Sequence, residues 1–128
     1  MRRPLDFAAV TDHAEYLGEM YAALTPGSAG HDQAEIQQLI KLTDPDERRK
    51  WFLKYVVSNT RGANPQHLPF YPGDAAVRSG WQVILDAANE HYEPGRFTTF
   101  PAFEWSSAPG GANLHRNILF RSSDVPAQ

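Results

Sequence analysis

The run Leu5-Asp6-Phe7-Ala8-Ala9-Val10, followed by Thr11-Asp12-His13, constrains the fold more than any other stretch of the chain. Leu5, Phe7, Ala8, Ala9 and Val10 are apolar, which reads as a short strand covered on both faces in an α/β fold. Sheets and barrels of that class place their chemistry at the carboxyl ends of strands, and Thr11, Asp12 and His13 stand at such an end. Successive side chains of a strand point to opposite faces. Asp12 and His13 therefore reach one site only if the chain turns there, and the helical pattern from Ala14 onward supplies a turn. His13 is then the better direct metal ligand, with Asp12 either a ligand or an orienting neighbour. The plainer alternative is that Asp12 caps the following helix and His13 is incidental.

Composition narrows the chemistry. At 128 residues, 41% apolar and 21% charged, the chain is long enough for one domain with a core. A net charge of −3 gives no basic surface for nucleic acid. With no cysteine, disulfides and thiolate metal sites are excluded. Any ion would be held by His, Asp and Glu, a donor set that suits Zn, Mn or Fe. No run approaches the ~20 apolar residues of a membrane helix, so no membrane partner is expected. Met1-Arg2-Arg3 leads into too short an apolar run for a signal peptide, and a cytoplasmic location is the expectation.

Helical periodicity is read over Ala14–Leu24, with Leu17, Met20, Tyr21 and Leu24 on one face, and over Gln33–Leu42, with Ile36, Leu39 and Ile40 as the apolar edge. Asp44-Pro45-Asp46-Glu47 is a helix start: Asp44 caps, Pro45 fits the first helical position, and Glu47 stands at capping-box spacing. That helix is expected to run to about Ser58, burying Trp51, Phe52, Tyr55 and Val56. Asn59 to Pro72 reads as a loop containing His67, taken as a surface histidine. Asp74 is expected to cap a helix that reaches about Tyr92, with Trp81 in its buried stripe and Pro94-Gly95 as the stop. Phe97–Trp105 is β-rich, and Pro101 forces an edge, bulge or break. Leu114–Arg121 is a further strand beyond the Pro109-Gly110-Gly111 turn, paired with it as a hairpin or lying beside it.

Glu104 is the second candidate for chemistry. A carboxylate between Phe103 and Trp105 is costly to bury without a cation or donor. A metal, Arg116 or a helix N-terminus would each serve. His115, on a strand, is either a structural histidine or a further ligand. Arg61, Arg96 and Arg116 carry the forked donors that suit phosphate, although surface charge is the plainer reading of each. Ser106 and Ser107 lack the spacing of a nucleophile elbow, and Gly110-Gly111 lacks a P-loop continuation.

Four blocks carry a resemblance. Leu5–His13 is similar to the second motif of the PHP superfamily, the polymerase and histidinol phosphatase metal-dependent phosphoesterases. Ala14-Glu15-Tyr16-Leu17-Gly18 and the runs Tyr92–Ser107 and Asn113–Arg121 resemble a bacterial branch known as a domain of unknown function. The resemblance implies an α/β fold, part of a PHP-like distorted (β/α)7 barrel with several helices and about three strands. It implies a divalent metal held by His13 and Glu104, with Asp12 and His115 assisting, and hydrolysis of a phosphorylated small molecule. The superfamily's His-x-His pair, its later His and its terminal Asp-x-His have no counterpart here. The chain accordingly reads as a partial copy with an incomplete barrel: one PHP-like domain over 1–121 and a frayed tail over 122–128. Two functions follow. One is a fragment of a metal-dependent phosphoesterase, inactive or weak alone. The other is a non-catalytic binding or assembly module, self-associating through exposed strand edges.

Overall fold

Two segments far apart in sequence run side by side. In the computed structural model, which describes residues 4–60, 66–107 and 109–126, strand β1 (Phe7–Ala9) pairs in parallel with β2 (Thr98–Phe100). Phe7 lies opposite Thr98 and Ala9 opposite Phe100. The next step of this register sets Val10 against Pro101, which has no amide hydrogen to donate, and the ladder stops. It resumes as a single parallel bridge between His13 and Glu104 at the same offset, 91 residues, that separates Glu15 from Ser106. The expected break at Pro101 is thus present. It divides the Phe97–Trp105 run into β2 and β3 (Ala102–Ser107), so the described residues form four strands rather than about three.

Strand β3 turns through Pro109–Gly111, where Gly110 takes a φ of 60°, into β4 (Leu114–Leu119). The two make an antiparallel hairpin with Glu104 opposite Asn117 and Ser106 opposite His115. The four strands thus form two two-stranded sheets in a mixed α/β fold, with no closed barrel among the described residues. This corrects the expectation for the first strand. Ala8 and Ala9 are half-buried, but Leu5, Phe7 and Val10 are mostly exposed, because β1 has a neighbour on one edge only among the described residues.

The helices are α1 (Leu17–Leu24), α2 (Ala34–Lys41), α3 (Pro45–Phe52), α4 (Ser58–Thr60) and α5 (Asp74–Glu90). A π-helical turn, Leu53–Val57, joins α3 to α4, so residues 45–60 are one continuous helical stretch. Asp44 caps it as the sequence foretells: its Oδ1 accepts the amides of Asp46 and Glu47 at 2.8 and 3.0 Å. Glu47 does not reach back as a capping box would; it pairs with Lys50 at 2.7 Å. Asp44→Ala removes both acceptors and is expected to cost about 1 kcal/mol in urea denaturation. At α5 the cap expectation fails. Gly73 is the N-cap, and Asp74 is already helical and accepts the Tyr71 hydroxyl. The helix also ends at Glu90, before Pro94-Gly95.

Burial on α1 differs from its periodicity. Gly18, Glu19, Ala22 and Ala23 are buried, whereas Tyr21 and Leu24 are exposed. The cause is close approach: Gly18 on α1 meets the backbone of Val77 on α5, and Gly80 on α5 lies against Gly18. Only small side chains fit between the two axes. The larger residues flank the contact, and Tyr16 and Met20 pack on a core of Ala23, Ile36, Trp51, Val56, Leu68 and Phe70. One residue on from Gly80, Trp81 meets Phe103 and Phe120, with the three ring centroids 5.9 Å apart, which settles Trp81 as a packing residue. No helix among the described residues is long and apolar enough to cross a membrane.

Candidate metal centre

The parallel bridge positions the first two side chains. Glu104 N–H donates to the Asp12 carbonyl and Ala14 N–H to the Glu104 carbonyl, each at 2.8 Å, which locks His13 beside Glu104. The hairpin supplies the third. Glu104 and Ser106 are two apart on β3 and share a face, and the register sets His115 directly across from Ser106 on that face. His13, Glu104 and His115 thereby offer ligand atoms that all lie within 4.8 Å of one another.

The distances are informative. His13 Nε2 is 3.4 Å from Glu104 Oε2, and His115 Nδ1 is 3.2 Å from Glu104 Oε1. Charge-assisted N–H···O bonds are shorter, at about 2.8 Å. Ligands of a tetrahedral ion with bonds of about 2.1 Å stand about 3.4 Å apart. Both histidine–glutamate separations are close to that spacing, and two imidazoles with a carboxylate suit Zn, Mn or Fe. Glu104 is largely shielded from solvent, while His13 and His115 are 60% and 40% exposed, so the site is open on one side.

Asp12 is not among the three. It is exposed, and it contributes its backbone carbonyl to the bridge. The alternation that separates Asp12 from His13 on a strand operates here too. Arg116 does not face Glu104: it pairs with Trp105 in the register, on the opposite face of the hairpin, and its Nη1 donates to the His115 carbonyl at 2.8 Å. Arg96 is 83% exposed and pairs with Glu93 at 2.8 Å. Arg61 lies outside the described residues.

Sequence reasoning did not place two residues beside the site: Ser106 is weighed there only as a nucleophile, and Glu15 only within a resembling block. The Ser106 hydroxyl stands between the imidazoles, 2.7 Å from His115 Nδ1 and 3.1 Å from His13 Nδ1. Glu15 Oε1 accepts the Ser106 amide at 2.7 Å, and its Oε2, buried with no hydrogen-bond partner, is 3.4 Å from His13 Nδ1. The available signal was a spacing of two: Glu15 follows His13, and Ser106 follows Glu104, by that interval.

A second ionisable pair sits deeper. Glu19 is 4% exposed; its Oε2 accepts the Leu68 amide at 2.8 Å and its Oε1 pairs with His67 Nδ1 at 2.7 Å. His67, foreseen as a plain surface histidine, is exposed on one side but ties its loop to α1 and stacks on Tyr71. Tyr16, at a φ of 60°, donates its hydroxyl toward the carbonyls of Asn59 and Gln66. Burial, and then the Glu19 charge, hold that hydroxyl above its ordinary pKa.

Fold and site together define a mixed α/β protein with a His–Glu–His cluster able to hold a divalent ion. The chain belongs to the family described as Protein of unknown function (DUF3604), which it matches over residues 1–128. No curated protein matches it, and no solved structure does.

Proposed function

We propose that the chain is a metal-dependent phosphoric ester hydrolase of PHP type, with His13, Glu104 and His115 holding one divalent ion. The observation that carries this reading is the convergence of three donors from three separate segments within 4.8 Å. The likeness of Leu5–His13 to a PHP motif supplies the reaction class. A bound divalent ion would lower the pKa of water and polarise a phosphoryl oxygen. The two imidazoles leave the ion most of its positive charge, and Glu104 anchors it from the shielded side. The open side formed by the exposed faces of His13 and His115 would admit the phosphate. With three protein ligands and one ion, slow turnover is the expectation.

The test is elemental analysis of the purified chain, followed by chelation and hydrolysis of p-nitrophenyl phosphate. About one zinc or manganese per chain is expected, with hydrolysis lost on chelation and restored by the ion. Folded wild-type chain that takes up no zinc, manganese or iron would sink the reading. A second reading, an assembly module, is favoured by the exposed Leu5, Phe7 and Val10 on β1. Self-association that is indifferent to metal and comes without hydrolysis would identify it.

A further inference from the structure

We infer that Glu15 is a positioning residue that fixes the tautomer of His13, so that Nε2 is the nitrogen presented toward Glu104 and His115. The inference rests on the metal reading above and deepens it. Neutral imidazole has one N–H and one lone pair, and the group beside one nitrogen selects which is which. His13 Nε2 faces Glu104 at 3.4 Å, and its Nδ1 faces both Glu15 Oε2 at 3.4 Å and the Ser106 hydroxyl at 3.1 Å. Ser106 also stands 2.7 Å from His115 Nδ1.

A hydroxyl has one proton to give. In the metal-free protein, where no ion holds the His115 Nδ1 lone pair, the proton goes to His115 at the shorter distance and leaves Ser106 an acceptor toward His13. Both neighbours of His13 Nδ1 are then acceptors. Glu104 Oε2 stands equally near Nε2, at 3.4 Å, but Glu15 Oε2 is the buried oxygen with no other partner, so Nδ1 carries the proton. Given instead to His13 Nδ1, it would set a lone pair against the Glu15 carboxylate and leave a buried anionic oxygen facing it. Glu15 Oε2 has no hydrogen-bond partner, so the His13 N–H is the donor it lacks. Metal-binding histidines commonly have their second N–H held by a carboxylate in this way. The other oxygen of Glu15 is committed to the Ser106 amide at 2.7 Å, which fixes the carboxylate in place.

That commitment makes Glu15→Gln a directional test. The Ser106 amide needs an acceptor, so the glutamine carbonyl must stay on it. The NH2 then faces His13 Nδ1 and calls for a lone pair there. In the metal-free protein, 15N NMR of the imidazole ring is expected to show the Nδ1–H tautomer for neutral His13 in wild type and the Nε2–H tautomer in Glu15→Gln. Zinc affinity should fall about 10- to 100-fold in that variant. Ser106→Ala keeps the amide and should leave the His13 tautomer as in wild type.

Nε2–H in the wild type, or a tautomer unchanged in folded Glu15→Gln, would overturn the inference. A tautomer that follows Ser106→Ala instead would assign the role to the serine and overturn it equally. Should Glu15→Gln not fold, the wild-type and Ser106→Ala spectra decide. Because the tautomer is read without metal, a wild type that shows Nδ1–H yet binds no zinc counts against the metal reading and not against this one.

Discussion

Zinc affinity is expected to fall by more than 100-fold in both Glu104→Ala and Glu104→Gln, measured by competition with a chromophoric chelator. Outer-sphere partners of metal ligands already account for about 10- to 100-fold in affinity, so losing a ligand must exceed that. Glu104 is the central donor, with one oxygen toward His13 and the other toward His115. Alanine removes both oxygens. Glutamine keeps the shape and removes the charge, leaving two neutral imidazoles and an amide. Neither change touches the main-chain bonds from Glu104 to Asp12 and Ala14, so the fold should survive and circular dichroism should be unchanged. Zinc affinity within about threefold of wild type in folded Glu104→Gln would remove Glu104 from the site.

The largest effect on stability is expected at Gly18. A Cβ there would stand 2.2 Å from the Val77 carbonyl oxygen and 2.7 Å from the Val77 Cα. Both atoms are backbone in the middle of α5's contact, so relief requires moving a helix. Alanine would otherwise gain about 1 kcal/mol of helix propensity over glycine. Overpacking a tight contact costs about 3 kcal/mol at its upper end, so the net sign reverses to destabilisation. The fall in melting temperature should be on the order of 10 °C. Gly80→Ala meets Gly18 Cα at 3.0 Å and the Tyr21 Cβ at 3.4 Å, and should cost less. A Gly18→Ala protein as stable as wild type in urea would show that α1 and α5 are not held this closely.

What the sequence disclosed was what is decided locally. Asp44-Pro45 starts a helix because the cap and the fixed φ act within four residues. Pro101 breaks a ladder because it lacks a donor wherever it stands. Helical periodicity alone predicted that Trp81 is buried, and it is. What remained hidden depends on partners far along the chain. The apolar Leu5–Val10 run looks buried by composition, yet its exposure is set by how many strands flank it. The buried face of α1 is chosen by how near α5 comes. His13, Glu104 and His115 could each be named as metal-competent, whereas Ser106 and Glu15 acquire their places only from the parallel and hairpin registers. Asp12 and His13 show a local rule in action: neighbours on an extended chain diverge.

The shared offset along β1, its extension to His13 and Glu15, and their partners on β2 and β3 has a kinetic meaning. Contacts between segments this distant in sequence carry a high contact order and form late, after the loop-closure entropy has been met. A slip of one residue would turn Glu104 and Ser106 to the other face of the strand, leaving His13 opposite the wrong side chains. Only the native alignment assembles the three donors. An ion bound there acts as a proofreader of strand alignment, since mass action rewards the one conformer that binds it, by about 2.7 kcal/mol at a hundredfold excess over the dissociation constant.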